Sequence, residues 1–132
     1  VRVLPPVPMH ELIPAAHQYD IGLFLLEPTS VSYLYALPNK FFQYLQSRLA
    51  LAIGPSPEMA RLVQSYDCGI VAPDFTPRSL AAALAPLDHT RINYYKQQAH
   101  QAARELSAER NRDQLLALVQ QVMMERGTAT PD

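Results

Sequence analysis

Two short stretches set the strongest limits on what this chain can fold into. Ile21-Gly-Leu-Phe-Leu-Leu26 and Leu49-Ala-Leu-Ala-Ile53 are apolar at nearly every position. A strand with one wet face alternates apolar and polar residues, whereas a strand covered on both faces does not. Both runs are far too short to span a bilayer. Between them Phe41, Phe42, Leu45 and Leu49 recur at helical spacing, which predicts a helix over Asn39–Arg48. Buried strand, helix, buried strand is the signature of a parallel sheet.

The flanking sequence extends the pattern. Val1–Leu4 is a β-branched run stopped by Pro5 and Pro6 and reads as a first strand, and Met9–His17 follows as a short helix. A loop rich in Pro, Ser, Thr and Tyr runs from Glu27 to Leu37. Ser56-Pro57-Glu58 is a helix start, with Ser as N-cap, Pro in the first turn and an acid at the positive end of the dipole. Cys68–Ala72 reads as another strand, and Thr76-Pro77 repeats the cap-then-proline signal before Arg78–Leu87. Ile92, Tyr95, Ala99, Ala102, Ala103 and Leu106 mark a long amphipathic helix; Asn111 with Gln114 resembles a capping box before Leu115–Met124. The expected fold is α/β: an open parallel sheet of about four strands with helices on both faces, a partial Rossmann-like arrangement, and a C-terminal helical tail that packs on the sheet or against another domain. Residues 1–126 form one domain in this reading, and 127–132 a flexible tail.

Composition excludes several function classes. With 132 residues, 48% hydrophobic and 17% charged, the chain suits one globular domain and not a disordered segment. A formal net charge of -1 offers no field for nucleic acid. One cysteine, Cys68, excludes an internal disulfide framework, fits a reducing compartment, and reads as a small core residue between Asp67 and Gly69. His10, His17, His89 and His100 lack metal-ligand spacing, so no metal is expected. No P-loop, GxGxxG or GxSxG is present.

Ligands of open α/β sheets collect at the carboxyl ends of strands, beside helix N-termini. Two such places stand out: the loop after Leu26 that leads into the helix at Asn39, and Gly54-Pro55-Ser56-Pro57-Glu58 after Ile53. Backbone N–H groups at both would favour an anion such as a diphosphate. Lys40 is a candidate phosphate contact, although a first-turn lysine is also an ordinary solvated cation. Tyr33 and Tyr35 could stack on a base or sugar or simply cover the sheet edge, and Glu27 is a rim acid with either role.

Three segments carry a resemblance. Tyr19-Asp20-Ile21-Gly22-Leu23, Ala36-Leu37-Pro38-Asn39-Lys40-Phe41-Phe42-Gln43-Tyr44-Leu45 and Gly54-Pro55-Ser56-Pro57-Glu58-Met59 resemble, in order and spacing, the donor-binding half of retaining, GT-B-fold bacterial glycosyltransferases. The resemblance runs from Val1 to about Met124. It implies a second Rossmann-like domain that binds a nucleotide sugar as substrate, without metal or other cofactor. It places Tyr33, Tyr35, Asn39, Lys40, Gln43, Ser56 and Glu58 at the donor, and assigns this half no catalytic residue. An acid one turn into the Asn39 helix usually takes the ribose hydroxyls in that family; Gln43 stands there, so a charge-assisted pair is lost. Tyr35 stands where a second acid is common.

The resemblance further implies that the acceptor domain and the opening β-α-β-α of the donor domain, with its glycine-rich turn and Arg/Lys pair, precede Val1 in the whole enzyme. That enzyme would be cytoplasmic or peripheral at the inner membrane, and the isolated chain inactive. The exposed edge of the Ile21 strand is then expected either to pair directly with Val1–Leu4 or to associate with another chain. The alternative is a non-catalytic binding or interaction module that kept the fold and lost turnover.

Overall fold

The computed structural model describes residues 2–127. Its elements run α1 (Met9–Ala16), β1 (Ile21–Phe24), α2 (Val31–Leu34), α3 (Asn39–Gln46), β2 (Ala50–Ile53), α4 (Pro57–Tyr66), β3 (Gly69–Val71), α5 (Pro77–Leu84), α6 (His89–Glu105) and α7 (Ala108–Gly127). The sheet is parallel, open and three-stranded, in the order β1-β2-β3. Ile21 pairs with Ala50 and Phe24 with Ile53; on the other side Leu51 pairs with Gly69 and Ile53 with Val71.

The alternation of β2 builds two cores. Leu51 and Ile53 face a large cluster with Phe41 and Leu45 of α3, Met59, Leu62 and Val63 of α4, and Ala99, Ala102 and Ala103 of α6. Ala52 faces the other way, against Leu80 of α5 and Ala72. Helices therefore cover both faces. The alanines of α6 let it lie close on the strand, and its Gln46 contact (Nε2 donating to Ala103 O, 2.8 Å) locks α3 beside it. Side-chain packing of this kind, and not helix propensity, holds short helices in place.

The expected first strand does not form. Residues 2–8 have no regular structure, Val3 is 90% exposed, and Val1 lies outside the described residues. Pro5, Pro6 and Pro8 explain this: proline has no N–H for a ladder and its ring fixes φ. The sheet thus has three strands and not four, and β1 is an edge. Its doubly covered reading fails at Leu23, which is 50% exposed.

That edge is closed locally by the chain itself. Ala50 N and Gly54 N donate to Asp20 O and Phe24 O, so even-numbered carbonyls face β2 and Leu23 O points outward. The Tyr44 hydroxyl, reaching from α3, donates to Leu23 O at 3.2 Å. Burial pushes the Tyr44 pKa up, which keeps the donor proton in place. Its ring lies over Gly22, where an added Cβ would sit 2.5 Å from Tyr44 Cγ. At the start of the strand Lys96 Nζ holds the Asp20 carboxylate at 2.9 Å.

Two further details differ from the sequence reading. The last helix starts at Ala108, capped by Ser107 Oγ accepting from Arg110 N (3.2 Å), so Asn111 lies inside it and forms no capping box. This helix does not pack on the sheet: its side chains are exposed through Met124, including Leu115, Leu118, Val119 and Val122. Of the expected tail only Gly127, the last residue of α7, is described; 128–132 lie outside the described residues.

Two glycines are crowded by different neighbours, a side-chain base at Gly22 and backbone at Gly69. At Gly69 a Cβ would meet the backbone of β2, 2.0 Å from Leu51 O, and nothing can swing aside. Gly22→Ala should cost about 1–3 kcal/mol, because the Tyr44 Cγ and Cβ it meets at 2.5 and 2.9 Å move only if α3 shifts, and Gly69→Ala, against the sheet backbone itself, distinctly more. Urea denaturation of the two variants checks the order.

Cys68 is fully buried, and burial pushes its thiol up to about 12. Native protein should therefore resist a thiol-specific disulfide reagent at pH 8 and react fully once unfolded in urea. A raised folded pKa contributes stability that is complete below the unfolded value of about 8.5 and is lost as pH climbs toward 12. Stability should accordingly decline in alkali, and less so in Cys68→Ala.

Candidate functional site

The carboxyl ends of β1 and β2 open onto one rim. The chain leaves β1 through Leu25 and Leu26, and the single helical turn α2 interrupts the expected loop, capped by Ser30 Oγ accepting from Tyr33 N at 3.2 Å. Pro38 then starts α3. From β2 the chain passes Gly54 and Pro55 into α4. Between these segments lies a pocket of about 90 Å³, lined by Phe24, Leu26, Pro28, Tyr33, Ala36, Pro38, Ser56 and Met59.

Of the described helices, α1, α3 and α4 start without a side-chain cap, whereas α2, α5, α6 and α7 have one. Thr76 Oγ1 accepts from Ser79 N (3.2 Å), Asp88 Oδ1 from Arg91 N (2.7 Å) and Ser107 Oγ from Arg110 N (3.2 Å), each closing its own helix. Ser56 occupies the same position on α4, yet its hydroxyl makes no cap bond and has no partner among the described residues. Ala60 N bonds Ser56 O at 2.8 Å and Pro57 has no N–H, which leaves the Glu58 and Met59 amides without an acceptor. On α3 the cap residue is Pro38, which has no hydroxyl to offer. Phe41 N bonds Pro38 O at 3.0 Å, and the Asn39 and Lys40 amides stay open.

Ser56 is only 3% exposed. No buried side-chain polar atom among the described residues lacks a partner, so this oxygen is reached by solvent, and Ser56 is one of the residues that line the pocket. A hydroxyl held in that state carries an unused donor and acceptor.

The residues expected at a ligand are only partly gathered. Tyr33 and Ser56 both line the pocket. Asn39 and Lys40 are exposed at the open start of α3, and Lys40 pairs with no carboxylate among the described residues. Tyr35 is exposed just past α2. Gln43 is not in the pocket wall: its Nε2 donates weakly to Met9 Sδ of α1, 3.5 Å away. Glu58 is turned along its own helix to Arg61, with Oε2 accepting from Nη2 at 3.0 Å and Nε at 3.2 Å. Glu27 is exposed and unpaired among the described residues.

Sequence reading missed most of the lining. Phe24, Leu26 and Met59 were legible as strand-end and helix-face apolar residues, but nothing in the pattern says that they border a gap. Among the described residues no group of three or more His, Cys, Asp or Glu could hold a metal ion, and no helix is long and apolar enough to cross a membrane. No protein-family model, curated protein or solved structure matches the chain.

The open cap has a direct consequence. Thr76→Ala should cost about 1 kcal/mol through loss of its cap bond, whereas Ser56→Ala loses no such bond and should cost clearly less. Thermal denaturation of the two variants measures this; equal losses would mean that the Ser56 hydroxyl already closes its helix.

Proposed function

We propose that the rim binds the diphosphate and sugar of a nucleotide-sugar donor, and that the chain is the donor-binding portion of a GT-B-type glycosyltransferase. The observation that carries this reading is the pair of open helix starts on one rim. The amides of Asn39 and Lys40 on α3, and of Glu58 and Met59 on α4, have no internal acceptor, and the exposed Lys40 belongs to the first pair. Helix N-termini with free N–H groups attract anions through both hydrogen bonds and dipole. Such a site orients a donor and offsets charge developing on a leaving diphosphate. The pocket wall holds no carboxylate, histidine or thiol, and in this reading the acceptor and the remaining contacts come from a second domain. In that reading the isolated chain has no turnover, and the whole enzyme works in the cytoplasm or at the inner membrane surface.

Gln43 favours a second reading, a binding module that kept the fold without catalysis. At its position the charge-assisted hold on ribose hydroxyls is missing, and its amide is engaged by Met9.

Nucleoside diphosphates, titrated with amide NMR detection, separate the two. Donor binding predicts shifts centred on Asn39, Lys40, Glu58 and Met59, weakened by Lys40→Ala. Gln43→Glu should raise affinity for a ribonucleotide about tenfold and leave a 2′,3′-dideoxy analogue behind. No shift with any nucleoside diphosphate at millimolar concentration would favour the binding module.

A further inference from the structure

The last helix carries an apolar face that no described part of the chain covers. Leu115, Leu118, Val119, Val122 and Met123 follow the i, i+3, i+4, i+7, i+8 spacing of a helix face that packs on something, yet each is 48–69% exposed. From Gln114 to Met124 the helix carries no charge, whereas Glu109, Arg110, Arg112 and Asp113 crowd its start. Residues 128–132 contain no large apolar side chain to lay on it.

This face runs down into a groove at the foot of the helix. Ala108 and Asn111 precede Leu115, Leu118 and Val122 in one heptad seam, in steps of three and four. Both also line a cavity of about 380 Å³, together with Ile13 of α1, Phe42 of α3 and Leu106 at the end of α6. An apolar ridge about 12 Å long therefore rises from an apolar groove. Covering five such side chains and one groove on each of two copies removes on the order of 1,200 Å² from water, the lower end of stable, specific interfaces.

We propose that α7 pairs antiparallel with α7 of a second copy of this chain, independently of any ligand at the rim. A ridge without charge gives a foreign partner no sign to recognise. An anionic membrane surface calls for Lys or Arg beside the apolar face, where Gln114 and Gln120 stand. Antiparallel pairing around Val119, the midpoint of the face, sets Leu115 of one copy against Met123 of the other and the reverse, as a two-fold interface requires. It also carries the methionine end of each helix toward the groove of the other copy, and a flexible thioether fills an irregular apolar gap well. A parallel pair would leave both grooves uncovered. It would also bring the charged start of each helix, from Glu109 to Asp113, against its own like charges.

Size exclusion with light scattering at micromolar loading should return twice the chain mass of 14.8 kDa. Leu118→Glu should return a monomer, and Ala117→Glu, on the opposite side of the helix, should leave the dimer intact. Circular dichroism checks that both variants keep their helices. Because Cys68 is buried, single added cysteines report the direction of pairing. Oxidised Val119→Cys should form a disulfide-linked dimer and Ala108→Cys should not, since antiparallel pairing holds the two Ala108 positions about 30 Å apart along the helices. Should Leu118→Glu lose helix, this cross-linking pattern decides alone. A monomer at every concentration, a dimer that survives a folded Leu118→Glu, or cross-linking through Ala108→Cys would each overturn the proposal. A monomer that co-sediments with phosphatidylglycerol vesicles through an intact Leu118 would overturn it too, and make α7 a membrane-surface helix.

Discussion

Parallel pairing of Ala50–Ile53 with a strand on each side positions everything else in this chain. All of β2 is buried, and its alternation divides the interior, with Leu51 and Ile53 toward α3, α4 and α6 and Ala52 toward α5. Large side chains on one face and alanines on the other allow the two layers to sit at different depths. Because β1 and β3 run parallel to β2, the connecting helices return along one side and their starts gather at the same end of the sheet. The rim exists because of that geometry, before any particular residue is considered.

Two helix starts at the rim, those of α3 and α4, leave amide hydrogen bonds unmade. Ser30, Thr76, Asp88 and Ser107 close the starts of α2, α5, α6 and α7, while α1, behind Pro8, has no side-chain cap. At α4 the serine is present but unengaged, Pro57 removes a donor, and two amides remain open; at α3 a proline stands where a cap would be. Glu58, by contrast, completes its bonds within its own helix through Arg61 and is accounted for without a ligand.

Much of the scaffold was legible in the sequence because buried strands and amphipathic helices announce themselves by period. Leu49–Ile53, the Ser56-Pro57 and Thr76-Pro77 starts and the long helix through Tyr95 and Ala99 all occur where the pattern puts them, within a residue or two at their ends. Failures cluster where the pattern is silent about partners. An apolar run shows that a strand wants cover, not that the chain supplies it, and Leu23 remains half exposed on the edge of β1. Val1–Leu4 had strand composition, but the prolines behind it leave too few donors for a ladder. Ser56 had the identity of a cap without acting as one. The pocket itself depends on Tyr33, Pro38 and Met59 meeting around one gap, a tertiary fact that residue spacing does not encode.

Amide hydrogen exchange of the ligand-free chain tests the central claim most directly, namely that β2 is the rigid centre and that the helix starts beside it are open. The account predicts that Leu51, Ala52 and Ile53 exchange only through global unfolding. Glu58 and Met59, a few residues further along the same rigid framework, should exchange orders of magnitude faster. Protection of the Met59 amide equal to that of Ile53 would contradict it, for the start of α4 would then already be closed and the rim would have no vacancy to offer.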